Sequence, residues 1–96
     1  MALNSIISNG CIISGGNVRR SILSPRVTIH SFAEVEDSIL LERADVGRNA
    51  KIKRTIVEKE VEIPPGMEIG YHLEEDAKRF TVTPSGIVVV PKGIRL

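Results

Sequence analysis

Two histidines, one cysteine and a run of three acids are the side chains of this 96-residue sequence that could attack, deprotonate or ligate. His30 directly follows the aliphatic Ile29. It could act as a general base at a subunit interface, and its plainer reading is a solvated turn histidine. His72 could contact a phosphate or simply be exposed. Cys11 stands alone, which excludes an internal disulfide and a zinc site of its own. Glu74, Glu75 and Asp76 read most simply as the acidic start of a short helix. No glycine-rich loop precedes a helix, no nucleophile motif is present, and no ligand spacing suits a metal, so the sequence holds no self-contained active site. The remaining candidates are basic. Arg48, Lys51, Lys53 and Arg54 cluster in sequence, Lys59 follows them, and Lys92 and Arg95 lie at the far C-terminus. Taken singly each is ordinary surface. Converging from separate elements, they could hold a phosphorylated ligand by charge-assisted hydrogen bonds.

The elements that would bring them together are written in a repeat. Residues 18–69 stack on themselves in steps of 17, with the register at 18, 35, 52 and 69. Branched aliphatics lead each segment: Val18, Leu23 and Ile29, then Val35, Leu40 and Val46, then Ile52, Val57 and Ile63, then Ile69. The spacing within a unit is five, six and six. Four residues after each leader stands a second apolar or small residue: Ile22, Val27 and Ala33; Ile39, Ala44 and Ala50; Ile56, Val61 and Met67. A helix needs apolar residues every three or four positions and a half-buried strand needs alternation, and neither fits a six-beat. A β-solenoid fits: three short flat sides per coil, inward groups at i and i+4, and parallel rungs stacked about 4.8 Å apart.

The positions read as outward support that stacking. Ser21, Ser38 and Thr55 form a hydroxyl row. Arg19, Glu36 and Lys53 form a charged row, as do Arg20, Asp37 and Arg54, and both alternate in sign from rung to rung. Opposite charges on neighbouring strands favour this register, and a one-residue slip would turn the aliphatic set outward.

Residues 1–17 read as an imperfect first coil. Ser5-Ile6-Ile7 echoes Ser21-Ile22-Leu23 at a step of 16, and Ile12 followed by Gly16 keeps the six-beat. Cys11, four residues after Ile7, then takes the place of a small buried residue. Nothing ahead of Asn4 caps the stack, so the chain reads as cut from something longer on its N-terminal side, packed against another domain or against copies of itself. Regular coils span 18–70. In the tail, 71–96, a helical turn or two around Glu74–Phe80 folds Phe80 onto the bottom rung, the run 87–90 is a buried or pairing strand, and Pro91-Lys92-Gly93 ends it.

Composition closes off several classes. A net charge of +1 gives no global field for nucleic acid or an anionic membrane. Aromatics at 3% leave no base-stacking surface. No apolar run approaches the ~20 residues of a membrane span, and the N-terminus lacks the pattern of a signal peptide, which points to the cytosol.

Several motifs taken together resemble a known family: Gly10-Cys-Ile-Ile-Ser-Gly-Gly16, the Ser38-Ile-Leu-Leu rung, Val46-Gly47-Arg48, Ile56-Val-Glu-Lys59, Ile63-Pro-Pro-Gly-Met-Glu-Ile-Gly70, Glu75-Asp-Ala-Lys-Arg-Phe80 and Ser85-Gly-Ile-Val-Val-Val90. The chain resembles the C-terminal domain of ADP-glucose pyrophosphorylase (glucose-1-phosphate adenylyltransferase). The hexapeptide part is shared with many acyltransferases, and the tail after Gly70 is what discriminates. The resemblance implies an all-β, left-handed parallel β-helix with a short C-terminal helical turn and strand. It also implies a missing N-terminal nucleotidyltransferase domain that joins ATP and glucose 1-phosphate with Mg²⁺, for glycogen or starch synthesis. This chain would need no cofactor and would be inactive alone. It would serve regulation and assembly into an oligomer. Lys59 and Lys92 fall where the family places basic residues for anionic sugar-phosphate or nucleotide effectors, and Arg95 falls near a third. A hexapeptide acyltransferase using His30 and a non-catalytic scaffold are the alternatives.

Overall fold

The computed structural model describes residues 2–94 and 96. Among the described residues fifteen short strands, numbered in chain order, form three walls, all parallel except for the last strand of the second. The first wall holds β1 (Ala2–Leu3), β4 (Asn17–Arg19), β7 (Glu34–Glu36), β10 (Lys51–Lys53) and β13 (Glu68–Ile69). The second holds β2 (Ile6–Ile7), β5 (Ile22–Leu23), β8 (Ile39–Leu40), β11 (Thr55–Val57), β15 (Val88–Val90) and β14 (Thr81–Val82). The third holds β3 (Ile12–Ile13), β6 (Thr28–Ile29), β9 (Asp45–Val46) and β12 (Glu62–Ile63). The architecture is a β-solenoid of about four turns with one short helix, consistent with a left-handed β-helix.

All ten leading aliphatics are buried, and they form the axial core. Rungs stack in the expected register, Val18 on Val35 on Ile52 on Ile69, through backbone bonds such as Ser24 N–H to Leu40 O at 2.9 Å. Strands stay short because every side ends in a residue with positive φ. Arg26, Arg43 and Glu60 mark one corner, Phe32 and Asn49 the next, and Arg20, Asp37 and Arg54 the third. A single left-handed residue turns the chain by one wall and returns it to extended backbone.

The five-residue side departs from the expected i and i+4 pattern. Its corner comes two residues after the leader (Arg20 after Val18) rather than three, so the third residue turns inward and the fourth turns out. Ser21, Ser38 and Thr55 are therefore buried, not outward, while Ile22 and Ile39 are exposed and Ile56 is half-buried. The hydroxyl row is a hydrogen-bonded ladder. Ser38 N–H donates to Ser21 Oγ at 3.1 Å and Thr55 N–H to Ser38 Oγ at 3.2 Å, while each hydroxyl donates to the carbonyl two residues back. Burying these polar groups is tolerated because each is satisfied. On the second wall, Ile6, Ile22, Ile39 and Ile56 consequently line up on the outside in successive pairs.

The first coil is one residue short. Ile13, not Ile12, is its inward residue: it pairs with Ile29, and Ile12 is exposed. The step returns from 16 to 17 at Asn17, which pairs with Glu34, so the deletion falls in the corner at Ser14–Gly16. Cys11 is half-buried against the core and its thiol donates to Ser24 O at 3.1 Å.

The tail completes the last coil rather than only packing beneath it. Val88–Val90 stacks in parallel on β11 with Val57 facing Val90, so the rung step on this wall lengthens from 17 to 33 residues. The inserted residues hold α1 (Leu73–Asp76) and β14, which pairs antiparallel with β15. Phe80 is buried against the core as expected. Asp76 does more than begin a helix. It is buried, and its Oδ2 accepts the Gly70 N–H at 2.8 Å across the bottom corner. Its Oδ1 has no hydrogen-bond partner among the described residues. Tyr71 lies beside this corner with the Lys53 ammonium 4.6 Å from its ring centre. Burial pushes the Tyr71 phenol up from its ordinary pKa, and nearby Glu34, Glu36 and Glu68 add to the shift.

Candidate effector-binding corner

The corner that follows the second wall holds two of the basic residues singled out in the sequence, Lys59 and Lys92. Val57 pairs with Val90, and the Glu58 N–H donates to Val90 O at 3.0 Å. Two residues further on, that register sets Lys59 above Lys92, both exposed. Sequence-distant lysines thus come to one corner, with Lys92 Nζ 3.3 Å from Glu60, the residue after Lys59, because the tail returns to the solenoid as a rung. Glu60 and Gly93, with φ of 62° and 81°, turn the two chain segments in the same way.

Charge is dense along this corner. Arg26 pairs with Glu42 at 3.5 Å. Glu60 is shared: its Oε2 lies 3.8 Å from Arg43 and its Oε1 lies 3.3 Å from Lys92. Among the described residues Lys59 has no ion pair. The corner opens onto a groove of about 720 Å³, lined by His30, Asp45, Arg48, Glu62 and Pro64 among others, with Glu60 and Gly93 common to both. That volume is of the size that holds a small organic ligand.

The other candidates go elsewhere. Arg54 donates to Ser85 O at 2.6 Å and so ties the tail to the third rung. Arg48 lies 5.4 Å from the exposed Phe32 ring. Arg95 lies outside the described residues. His30 pairs with Asp45 at 3.0 Å, with both side chains well exposed, and His72 pairs with Glu68 at 3.2 Å. Neither histidine adjoins Lys59 or Lys92. Among the described residues no three His, Cys, Asp or Glu side chains gather as a metal site. No helix among them is long and apolar enough to cross a membrane.

Glu60 and Arg43 were not singled out by the sequence reading. The signal was available: the same 17-residue stacking that aligned Arg19 with Glu36 also aligns Arg43 with Glu60.

With the coil and the corner described, the sequence matches a family described as GlmU-like, C-terminal hexapeptide, over residues 1–90. The chain belongs to that family. Curated relatives of this hexapeptide domain bear the name glucose-1-phosphate adenylyltransferase. The protein of Anaeromyxobacter sp. (strain Fw109-5) is 58% identical over 95 residues, covering 99% of this chain and 23% of the relative. That of Trichlorobacter lovleyi is 54% identical over 91 residues, covering 94% and 22%. That of Rhodopirellula baltica is 53% identical over 93 residues, covering 96% and 21%. The chain therefore spans about a fifth of the length of the relatives it matches.

Proposed function

We propose that this hexapeptide domain is the regulatory and assembly part of a glucose-1-phosphate adenylyltransferase, a cytoplasmic enzyme making ADP-glucose and pyrophosphate from ATP and glucose 1-phosphate. The observation that carries the regulatory reading is the return of Val88–Val90 onto the third rung, which brings Lys92 to the corner of Lys59, with Lys92 3.3 Å from the Glu60 that also lines the groove. Two ammonium groups on successive rungs can share one phosphate, and the groove can take the rest of a sugar phosphate or nucleotide. Arg95 belongs to the same C-terminal segment and is the third proposed contact. The division into an imperfect coil at 1–17, regular coils at 18–70 and a tail at 71–96 belongs to this reading.

Catalysis, and the Mg²⁺ it would use, are assigned to the nucleotidyltransferase portion of the longer enzyme, because this chain spans only about a fifth of the length of its relatives. The outer isoleucines of the second wall support packing of this domain on that portion. Such a ladder of apolar side chains facing water is unusual for a free-standing surface, and about four fifths of the relatives' length is not represented in this chain. An acyltransferase reading is not favoured, since the relatives bear the name glucose-1-phosphate adenylyltransferase.

The test is made in the full-length enzyme. Lys59→Ala and Lys92→Ala should each weaken the response to a phosphorylated activator by about tenfold or more, the loss of one charge-assisted contact, while turnover without activator is largely retained. Equal loss with and without activator would remove the regulatory assignment.

A further inference from the structure

Glu60 divides its carboxylate between Lys92 of the proposed phosphate site and the neighbouring Arg43. One oxygen faces Arg43 at 3.8 Å and the other faces Lys92 at 3.3 Å. It occupies the corner position of its rung, next in sequence to Lys59, and the chain's turn at φ 62° fixes where its side chain leaves the backbone. The two neighbouring rungs carry no such carboxylate in this row: Arg26 and Arg43 lie above it and Gly93 lies below. One acid is thus set among Arg43, Lys59 and Lys92.

We infer that Glu60 is a built-in competitor for the anionic effector, holding Lys92 and Arg43 until a phosphate displaces it. The inference rests on the reading of Lys59 and Lys92 as phosphate contacts, and it adds the residue that sets how tightly and how selectively they bind. Both partners of the Lys92–Glu60 pair are about half exposed, at 55% and 48%, so the pair is screened by water and exchanges readily. A phosphate brings nearly two negative charges and three acceptor oxygens against the single charge of a carboxylate. A phosphorylated ligand can therefore replace Glu60 where a monocarboxylate cannot. With Glu60 neutralised, Arg43 and Lys92 lose the carboxylate that holds them, and the acid left on this corner, Glu42, is paired with Arg26, so weaker anions gain access.

The experiment uses the full-length enzyme with inorganic phosphate as the probe, at low ionic strength, followed by the NMR shifts of selectively labelled Lys59 and Lys92. Glu60→Gln keeps the shape and removes the charge. It should tighten phosphate binding about fivefold, the effect of one unit charge at roughly 4 Å in a high-dielectric setting. It should also let acetate produce the same shifts. Glu62→Gln changes the net charge equally on the neighbouring groove wall and should alter affinity less than twofold. If Glu60→Gln and Glu62→Gln act alike, only net charge matters and the competitor role is overturned, while the phosphate reading stands. If phosphate moves neither lysine in the wild type or in Glu60→Gln, the phosphate reading fails and the inference fails with it.

Discussion

The two ends of the solenoid are built from the same repeat and finish differently. At the N-terminal end, the inward Ile7 is 38% exposed and Ile13 is only partly buried, because no rung lies above them among the described residues. The strands β1, β2 and β3 leave their outer edges unpaired there. At the C-terminal end, the chain inserts a helical turn and an antiparallel strand. These bury Phe80 and Asp76 and cover the second wall with β14. A repeat by itself makes a core only between rungs, and each end needs a separate device to close it. The closed end is also where Lys92 reaches Glu60, the residue after Lys59, so the device that caps the stack is the one that builds the candidate site.

The sharpest break in this contrast comes from two glycines. Gly70 sits at the bottom corner with φ +92°, and a Cβ there would lie 1.8 Å from Lys53 O, a backbone atom that cannot move aside. Gly70→Ala should destabilise the chain by about 4 kcal/mol or more, through the clash and through loss of the bond to Asp76. Gly15 has φ +75° at the open end, with nothing within 4 Å of its Cβ position. Gly15→Ala should cost only about 1 kcal/mol, the intrinsic penalty of the left-handed region. Urea denaturation of the two variants side by side measures the difference. Equal losses would mean that the bottom corner is not packed as described.

A smaller but cleaner separation is expected from apolar truncation. Phe80→Ala removes a buried ring at the closed end and should cost about 3 kcal/mol. Ile7→Ala removes a partly exposed side chain at the open end and should cost about 1 kcal/mol, since less apolar area is returned to water. Thermal melting of the same chain compares them. A loss at Ile7 as large as that at Phe80 would show that the first coil is covered in solution, as association of two copies through this end would produce.

How much of this was legible in the sequence depends on the wall. Ten leaders at five-six-six spacing gave the coil, its register and its core, because a buried axial position accepts only Val, Leu or Ile. The five-residue side was misread. Spacing alone does not say where the left-handed residue falls, and moving it by one exchanges Ser38 with Ile39 between inside and outside. Ile12 and Ile13 show the same ambiguity, since adjacent isoleucines leave the phase of a two-residue strand open until its pairing is seen. Phe80 on the bottom rung was readable from an isolated aromatic beyond the last coil. The return of Val88–Val90 as a rung was not, because its partner is 33 positions away and no periodicity announces it. The stacking of Lys92 beneath Lys59 follows from that return, so the site's geometry was hidden even though its residues were named.

The smallest expected effect concerns the charged rows, which also differ between the ends. The expected sign alternation produces pairing at its first step: Arg20 Nε donates to Asp37 Oδ1 at 2.7 Å and Arg20 Nη2 to Glu36 at 3.1 Å. At the next step Arg54 is drawn away to Ser85 O, so Asp37 keeps only the longer-range attraction of its charge. The hydrogen bond from Arg20 holds the Asp37 carboxyl below its ordinary range, and the positive charges of Arg20 and Arg54 add to it. A carboxylate with a depressed folded-state pKa contributes stability above its unfolded pKa and loses it as pH falls through the lower, folded value. The contribution is therefore intact at neutral pH and fades only below about pH 4. Carboxyl NMR titration should find Asp37 protonating at lower pH than an unpaired aspartate, and Arg20→Gln should return it most of the way. Because the pair is solvent-exposed, the same variant should lower the neutral-pH melting temperature only slightly. An Asp37 midpoint indifferent to Arg20 would show that the row alternates in sign without pairing. The register would then rest on the buried hydroxyl ladder and the aliphatic core alone.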